Sequence, residues 1–260
     1  MIAYAERATT ATPSIEERER MSFRPDARPI MYHHWRDLLF LHFPVPPQLL
    51  QRLVPPSLTI DTFPDASGRE MGWIGVVAFR MFGIRPRGLP PMPVMSAFPE
   101  TNVRTYVHRD GMEPGVWFLS MDASPKLACR IARAWYKEPY TFAEMYCRRD
   151  GERITYRHRR LEGIGVQSEI TCQAGDSMPA SVPGTLQHFL TERYQLYTGD
   201  RARLWKARVW HEPYPLREVE ILHCAMDLLK PFGIDQQPWV HACLSDGVDT
   251  EIFRLEPEGR

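Results

Sequence analysis

The sequence carries no surplus of either charge: 32 Lys and Arg stand against 32 Asp and Glu. A neutral chain lacks the electrostatic footprint of a dedicated nucleic-acid binder. The short basic run "RHRR" (157–160) reads as a solvated strand end. No C-x-x-C pair is present. The five cysteines, Cys129, Cys147, Cys172, Cys224 and Cys243, are odd in number, which argues against a disulfide framework and a zinc knuckle and points to a reducing cytoplasm. No apolar run approaches the roughly 20 residues of a membrane span. The opening "MIAYAERATTATP" has no basic segment followed by an apolar one, so it does not read as a secretory signal.

Motifs of the commoner chemistries are missing too. There is no G-x-G-x-x-G, no Walker loop, no G-x-S-x-G elbow and no H-E-x-x-H. Nine histidines are present without ligand spacing: His33 and His34 are adjacent and point apart, and His241 shares a strand face with Cys243 alone. Neither a metal nor a cofactor is expected.

What is present reads as one domain over 29–260 behind a polar tail, 1–28, expected to be disordered because it holds almost nothing to bury. A strand is predicted over Asp37–Phe43, then a short helix opened by Pro46 or Pro47 and stopped by Pro55-Pro56. Strands follow over 58–63 and 72–84. A Pro-rich loop, 85–100, is long enough to suggest a lid. "TNVRTYVHRDG" alternates: Val103, Thr105 and Val107 on one face; Asn102, Arg104, Tyr106 and His108 on the other. A strand over 115–123 returns. Asp150-Gly151 marks a hairpin, 165–173 alternates, 181–194 reads as a loop into a helix, and 195–213 as a pair of strands. "LREVEILHCAMDLL" is a strand that ends as a short helix, and "PWVHACLSDGVDTEIFRLEP" gives two strands around a turn. Ten to twelve hairpin-linked strands with few helices and no β-helix-β alternation predict an α+β fold. Its antiparallel sheet is curved towards a barrel or cone, with a few short helices outside.

Two residues stand out for chemistry. Ser124 is a good N-cap and Pro125 a good first helical residue, which puts Lys126 in the first turn of a helix, where the dipole opposes a cation. Lys126, Arg130, Arg133 and Lys137 form one stripe, beside an apolar face of Leu127, Ile131 and Trp135. The stripe admits two readings: a solvated basic face, or a cluster that makes Lys126 a neutral nucleophile. Glu100 begins the polar row of Asn102, Arg104, Tyr106 and His108, which either lines a cavity or faces water. Arg80 sits in an apolar strand and needs a partner, for which Glu192 in "TERY" is a candidate.

Five segments then occur together and in order: "LLFLHFPVPPQLLQRLVPPSLTIDTF", "WIGVVAFRMFGIRPRGLPPMP", "SAFPETNVRTYV", "GVWFLSMDASPKLA" and "LQHFLTERYQLYT". They resemble the bacterial YqjF-like family, a domain of unknown function, over about residues 30–255. That family is similar in fold to acetoacetate decarboxylase. The resemblance implies a curved sheet around an internal pocket for a small organic molecule. It also implies a decarboxylase-like lyase, or a non-catalytic ligand-binding protein of the same fold; a homo-oligomer is compatible with either. "ASPKLA" is similar to the decarboxylase's Schiff-base lysine segment and assigns that role to Lys126, with Glu100 as the acidic pocket residue. The decarboxylase's carboxylate-binding arginine has no counterpart in "LHFPVPP". Arg80 and Arg104 are the candidates for that task, with Tyr106 and Glu192 beside them in the substrate-binding set.

Overall fold

A computed structural model of the chain describes residues 12–91, 97–126, 129, 139–161, 165–200, 203–235 and 238–258. The main strands are β1 (Met31–Val45), β2 (Thr59–Ile60), β3 (Phe63–Pro64), β4 (Glu70–Pro86), β5 (Ala97–Arg109), β6 (Met112–Ala123), β7 (Tyr140–Asp150) and β8 (Arg153–Arg160). They continue with β9 (Gln167–Ser177), β10 (Gln195–Gly199), β11 (Leu204–Trp210), β12 (Leu216–Met226), β13 (His241–Ile252) and β14 (Glu256–Pro257). Short helices α1 (Ile15–Ser22), α2 (Pro47–Gln51) and α3 (Leu186–Thr191) accompany them.

The expected α+β fold with a curved sheet is what these elements make. Hydrogen bonding runs β6-β7-β8-β9-β12-β13-β1-β4-β5, and β5 pairs back onto β6, so the bonding is ring-like. A second route, β6-β10-β11-β13, rejoins the same arc. The sheet is mixed rather than antiparallel throughout, because β6 runs parallel to both β7 and β10. Those two pairings depend on crossovers, which local turn chemistry does not announce.

Three expectations change. The two strands expected in "PWVHACLSDGVDTEIFRLEP" do not part at Ser245-Asp246-Gly247: the break comes after Ile252, and β13 runs straight through those residues, with Gly247 at φ +141° opposite Arg36. A Cβ there would lie 2.2 Å from the Trp35 carbonyl oxygen, so the glycine serves a close strand approach and not a reversal. "LREVEILHCAMDLL" is strand to Met226, and the helical part is only a one-turn 3₁₀ segment at Lys230–Phe232. The tail holds a docked helix. Ser14 caps α1 by accepting from the Glu17 amide at 3.1 Å, Met21 is buried, and Arg18 forks onto the buried Asp61 at 2.6 and 2.7 Å. Residues 1–11 lie outside the described residues. No described helix is long and apolar enough to cross a membrane.

Bulges position the inner face. Asp37 takes φ +52° where the β1–β4 register slips, so the inward row Met31, His33, Trp35 resumes at Leu38. On β4, Gly83 at φ +61° shifts the row Val77, Phe79, Met81 to Ile84; a Cβ there would sit 2.4 Å from the His34 ring. The other face packs into the larger core, which holds Leu39, Leu41, Phe43, Val76 and Val103. Both faces of β5 are therefore covered, and the row Glu100, Asn102, Arg104, Tyr106, His108 is buried, not wet.

Candidate functional site

The inward rows of β1, β4, β5 and β6 line a partly open cavity of about 190 Å³. Its walls are mostly apolar, with Leu38, Val77, Phe79, Met81, Phe98 and Met121 among them. Polar groups come chiefly from one strand. Glu100, Asn102 and Arg104 lie at alternate positions of β5, joined by Tyr140 at the start of β7 and Tyr214 in the loop before β12.

Glu100 is 1% exposed, and the Tyr140 hydroxyl donates to its Oε2 at 2.9 Å. Arg104 is a buried cation with little to balance it. Nη2 donates to the Leu190 carbonyl at 3.3 Å, and the guanidinium carbon lies 5.7 and 5.9 Å from the ring centroids of Phe40 and Tyr106. Nε makes no hydrogen bond, and no carboxylate pairs with Arg104 among the described residues. Desolvating a guanidinium without a counter-charge is costly, so an anion in the cavity would be favoured there. Asn102 Oδ1 and Trp35 Nε1, in the same wall, are also buried without partners among the described residues.

The other sequence candidates separate. Tyr106 backs Arg104 from behind: it is fully buried, donates to the Leu190 carbonyl at 2.8 Å, and burial raises its phenol pKa. Glu192 reaches the cavity only through Tyr214, whose amide it accepts at 3.4 Å; Tyr194 and Ser181 also donate to it, and burial raises its pKa. Arg80 points away. It lies on the face of β4 opposite Phe79 and Met81 and pairs with Asp37 through Nε at 2.6 Å, so its partner is Asp37 and not Glu192. Arg149 shares that aspartate at 2.9 Å. Lys126 is exposed, its amine 4.6 Å from the centroid of the Phe142 ring. It is not among the described cavity-lining residues. The remaining stripe, Arg130, Arg133 and Lys137 with Leu127, Ile131 and Trp135, lies outside the described residues.

Three wall residues with a hydrogen-bonding side chain were not singled out from sequence: Trp35, Tyr140 and Tyr214. Trp35 lies ahead of the strand expected over Asp37–Phe43, in the part of β1 that begins at Met31. Tyr140 arrives through the parallel β6–β7 pairing. Tyr214, between two prolines in "EPYP", offered only the extended backbone that proline imposes. Among the described residues no group of three or more His, Cys, Asp or Glu side chains could hold a metal ion.

A ring-bonded curved sheet around such a cavity is the acetoacetate decarboxylase-like fold. Acetoacetate decarboxylase from Legionella pneumophila superposes with a TM-score of 0.61 at 11% identity, covering 100% of this chain and 98% of that one. The enduracididine biosynthesis enzyme MppR in complex with pyruvate gives 0.59 at 13% identity over 89% of this chain and 91% of that one. An acetoacetate decarboxylase-like enzyme from Sphingomonas wittichii RW1 gives 0.59 at 14% identity over 89% and 94%. Within that fold the chain belongs to the DUF2071 family, described as an uncharacterized conserved protein, which matches residues 32–249. It is 37% identical over 201 residues to the uncharacterized protein YqjF of Bacillus subtilis (strain 168), covering 75% of this chain and 78% of that one.

Proposed function

We propose that this protein binds a small organic monoanion with an apolar body, its charged end against Arg104 and its body among the apolar side chains of the cavity. The observation that carries this reading is the buried guanidinium of Arg104, which no carboxylate pairs among the described residues, on a mostly apolar wall. A cavity of about 190 Å³ suits a ligand little larger than benzene. Glu100, a buried carboxyl on the same strand, disfavours a second negative charge on the ligand. The pyruvate complex of MppR supports a small carboxylate in this fold. Five cysteines without a disulfide support a cytoplasmic setting. Calorimetry with hexanoate, hexanol and hexylamine tests the reading. Hexanoate is expected to bind, and Arg104→Gln to abolish its preference over hexanol. Equal binding of hexanol and hexanoate by the unmodified protein would overturn it.

A second reading makes the protein a carbonyl-processing lyase. Ala123 pairs with Glu100 on β5 and with Phe142 on β7, and Lys126 follows three residues after Ala123, the cross-strand partner of the cavity's acid. On this reading the amine swings from the Phe142 ring into the cavity, condenses with a ligand carbonyl and expels water, while Glu100 moves the proton. Borohydride with a panel of oxo acids would then add mass at Lys126. An unmodified Lys126 across the panel leaves the binding reading alone.

A further inference from the structure

We infer that helix α1 is a strap that positions Arg104, with Arg18, Asp61 and Arg193 as positioning residues for the anion end of the site; this rests on the ligand reading above. The chain of contacts begins outside the sheet. Arg18 reaches from α1 to Asp61 with both terminal nitrogens, and Asp61 is fully buried. Arg193, itself 8% exposed, donates Nη1 to the same carboxylate at 2.8 Å. Two cations thus share one anion, and Asp61 is the only carboxylate paired with Arg193 among the described residues.

Arg193 then acts on α3. This six-residue helix is too short to be stable alone, and its last carbonyls need partners. Arg193 Nε takes the Phe189 carbonyl at 2.7 Å, and its guanidinium lies 4.3 Å from the Phe189 ring centroid. Arg18 also lies over that ring, at 5.0 Å. The next carbonyl, Leu190, is the one that Tyr106 and Arg104 share. Among the described residues it is the one backbone carbonyl to which the Arg104 guanidinium donates. Where Leu190 sits therefore decides where the guanidinium points, and Arg193 holds the preceding residue only while Asp61 compensates its charge.

The rest of α1 is built to stay down. The Glu113 amide donates to Glu17 at 2.8 Å, Arg208 donates to the Phe23 carbonyl at 3.0 Å, and Trp210 donates to the Ser22 carbonyl at 3.0 Å. Arg18 is the one α1 side chain that reaches Asp61, so it is the residue through which docking becomes position at Arg104.

Arg18→Gln in the full chain tests this, with Glu16→Gln, an exposed change on the same helix, as control. Two readouts are taken: the Nε–H resonance of Arg104 without ligand, and hexanoate affinity. Arg18→Gln is expected to shift and broaden the resonance and to weaken hexanoate about tenfold, with Arg18→Lys intermediate because one ammonium cannot fork. Glu16→Gln should change neither. An Arg104 resonance in folded Arg18→Gln identical to that of the parent would overturn the strap. If the parent binds no hexanoate while the resonance shifts, the positioning stands and the ligand reading falls. Should Arg18→Gln fail to fold, Arg18→Lys carries the same decision through the resonance.

Discussion

Tyr140 on β7 donates its hydroxyl to Glu100 on β5, reaching past the strand between them. The parallel β6–β7 pairing makes this contact, since Met121 stands beside Tyr140 and Ala123 beside Glu100. A carboxyl that is 1% exposed depends on its donors. Tyr140→Phe removes one without opening a large void. We expect a loss of about 1–2 kcal/mol in urea unfolding. An unchanged midpoint would mean that the hydroxyl does not support Glu100.

Gly75 on β4 is where the wall around Arg104 closes up. A Cβ there would lie 3.0 Å from the Tyr106 hydroxyl oxygen, 3.3 Å from the His42 ring and 3.4 Å from Cγ of Arg104. His42 cannot retreat easily: it is fully buried and in contact with His241 at 3.0 Å between Nδ1 atoms, with burial holding its pKa well below the usual histidine value. Gly75→Ala should therefore cost about 1–3 kcal/mol of stability. It should also weaken hexanoate, because the yielding groups are Tyr106 and Arg104. Urea titration and calorimetry on one preparation measure both effects.

The sequence was most readable where structure is local. The Asp150-Gly151 hairpin, the alternation of β5 and the proline start of α2 all follow from neighbouring residues, whereas α2 ends at Gln51, ahead of the prolines expected to stop it. It was least readable where one pattern serves two structures. Asp246-Gly247 is turn chemistry, yet here it relaxes a strand against the β1 bulge. Ser14-x-x-Glu17 is a helix-start signature inside a segment whose polarity suggested disorder. Within the site, Glu100 and Arg104 could be found because they stand in one alternating strand. Tyr140 and Tyr214 could not, because only long-range pairing brings them there. Arg80 was found for a sound reason, a charge in an apolar strand, but its partner Asp37 depends on a bulge that sequence does not display.

That partner gives a prediction separating structure from binding. Asp37 is 2% exposed and holds both Arg80 and Arg149. Asparagine tolerates a positive φ about as well, so Asp37→Asn removes the charge and keeps the backbone. Two partly exposed arginines then lose their shared anion, at about 2–3 kcal/mol once solvent screening is allowed for. Hexanoate affinity should hold, since Arg80 lies on the opposite face of β4 from the cavity row. A large loss of affinity in folded Asp37→Asn would place Arg80 in the site after all.

Glu192 sets the pH dependence behind the cavity. Burial raises its pKa above that of the unfolded chain, an effect that exceeds the opposing hydrogen bonds from Tyr194, Tyr214 and Ser181. The native state therefore keeps a proton that the unfolded chain has released. By linkage, this group's contribution is fully present below the unfolded glutamate pKa and is lost as pH rises through the folded one. Glu192→Gln removes that titration. The stability of the parent relative to Glu192→Gln should accordingly decline as pH is raised from about 4.5 and level off once the folded carboxyl has ionised. Paired urea curves across that range decide the matter. A constant difference between the two proteins at every pH would show that Glu192 ionises in the fold as it does in the unfolded chain.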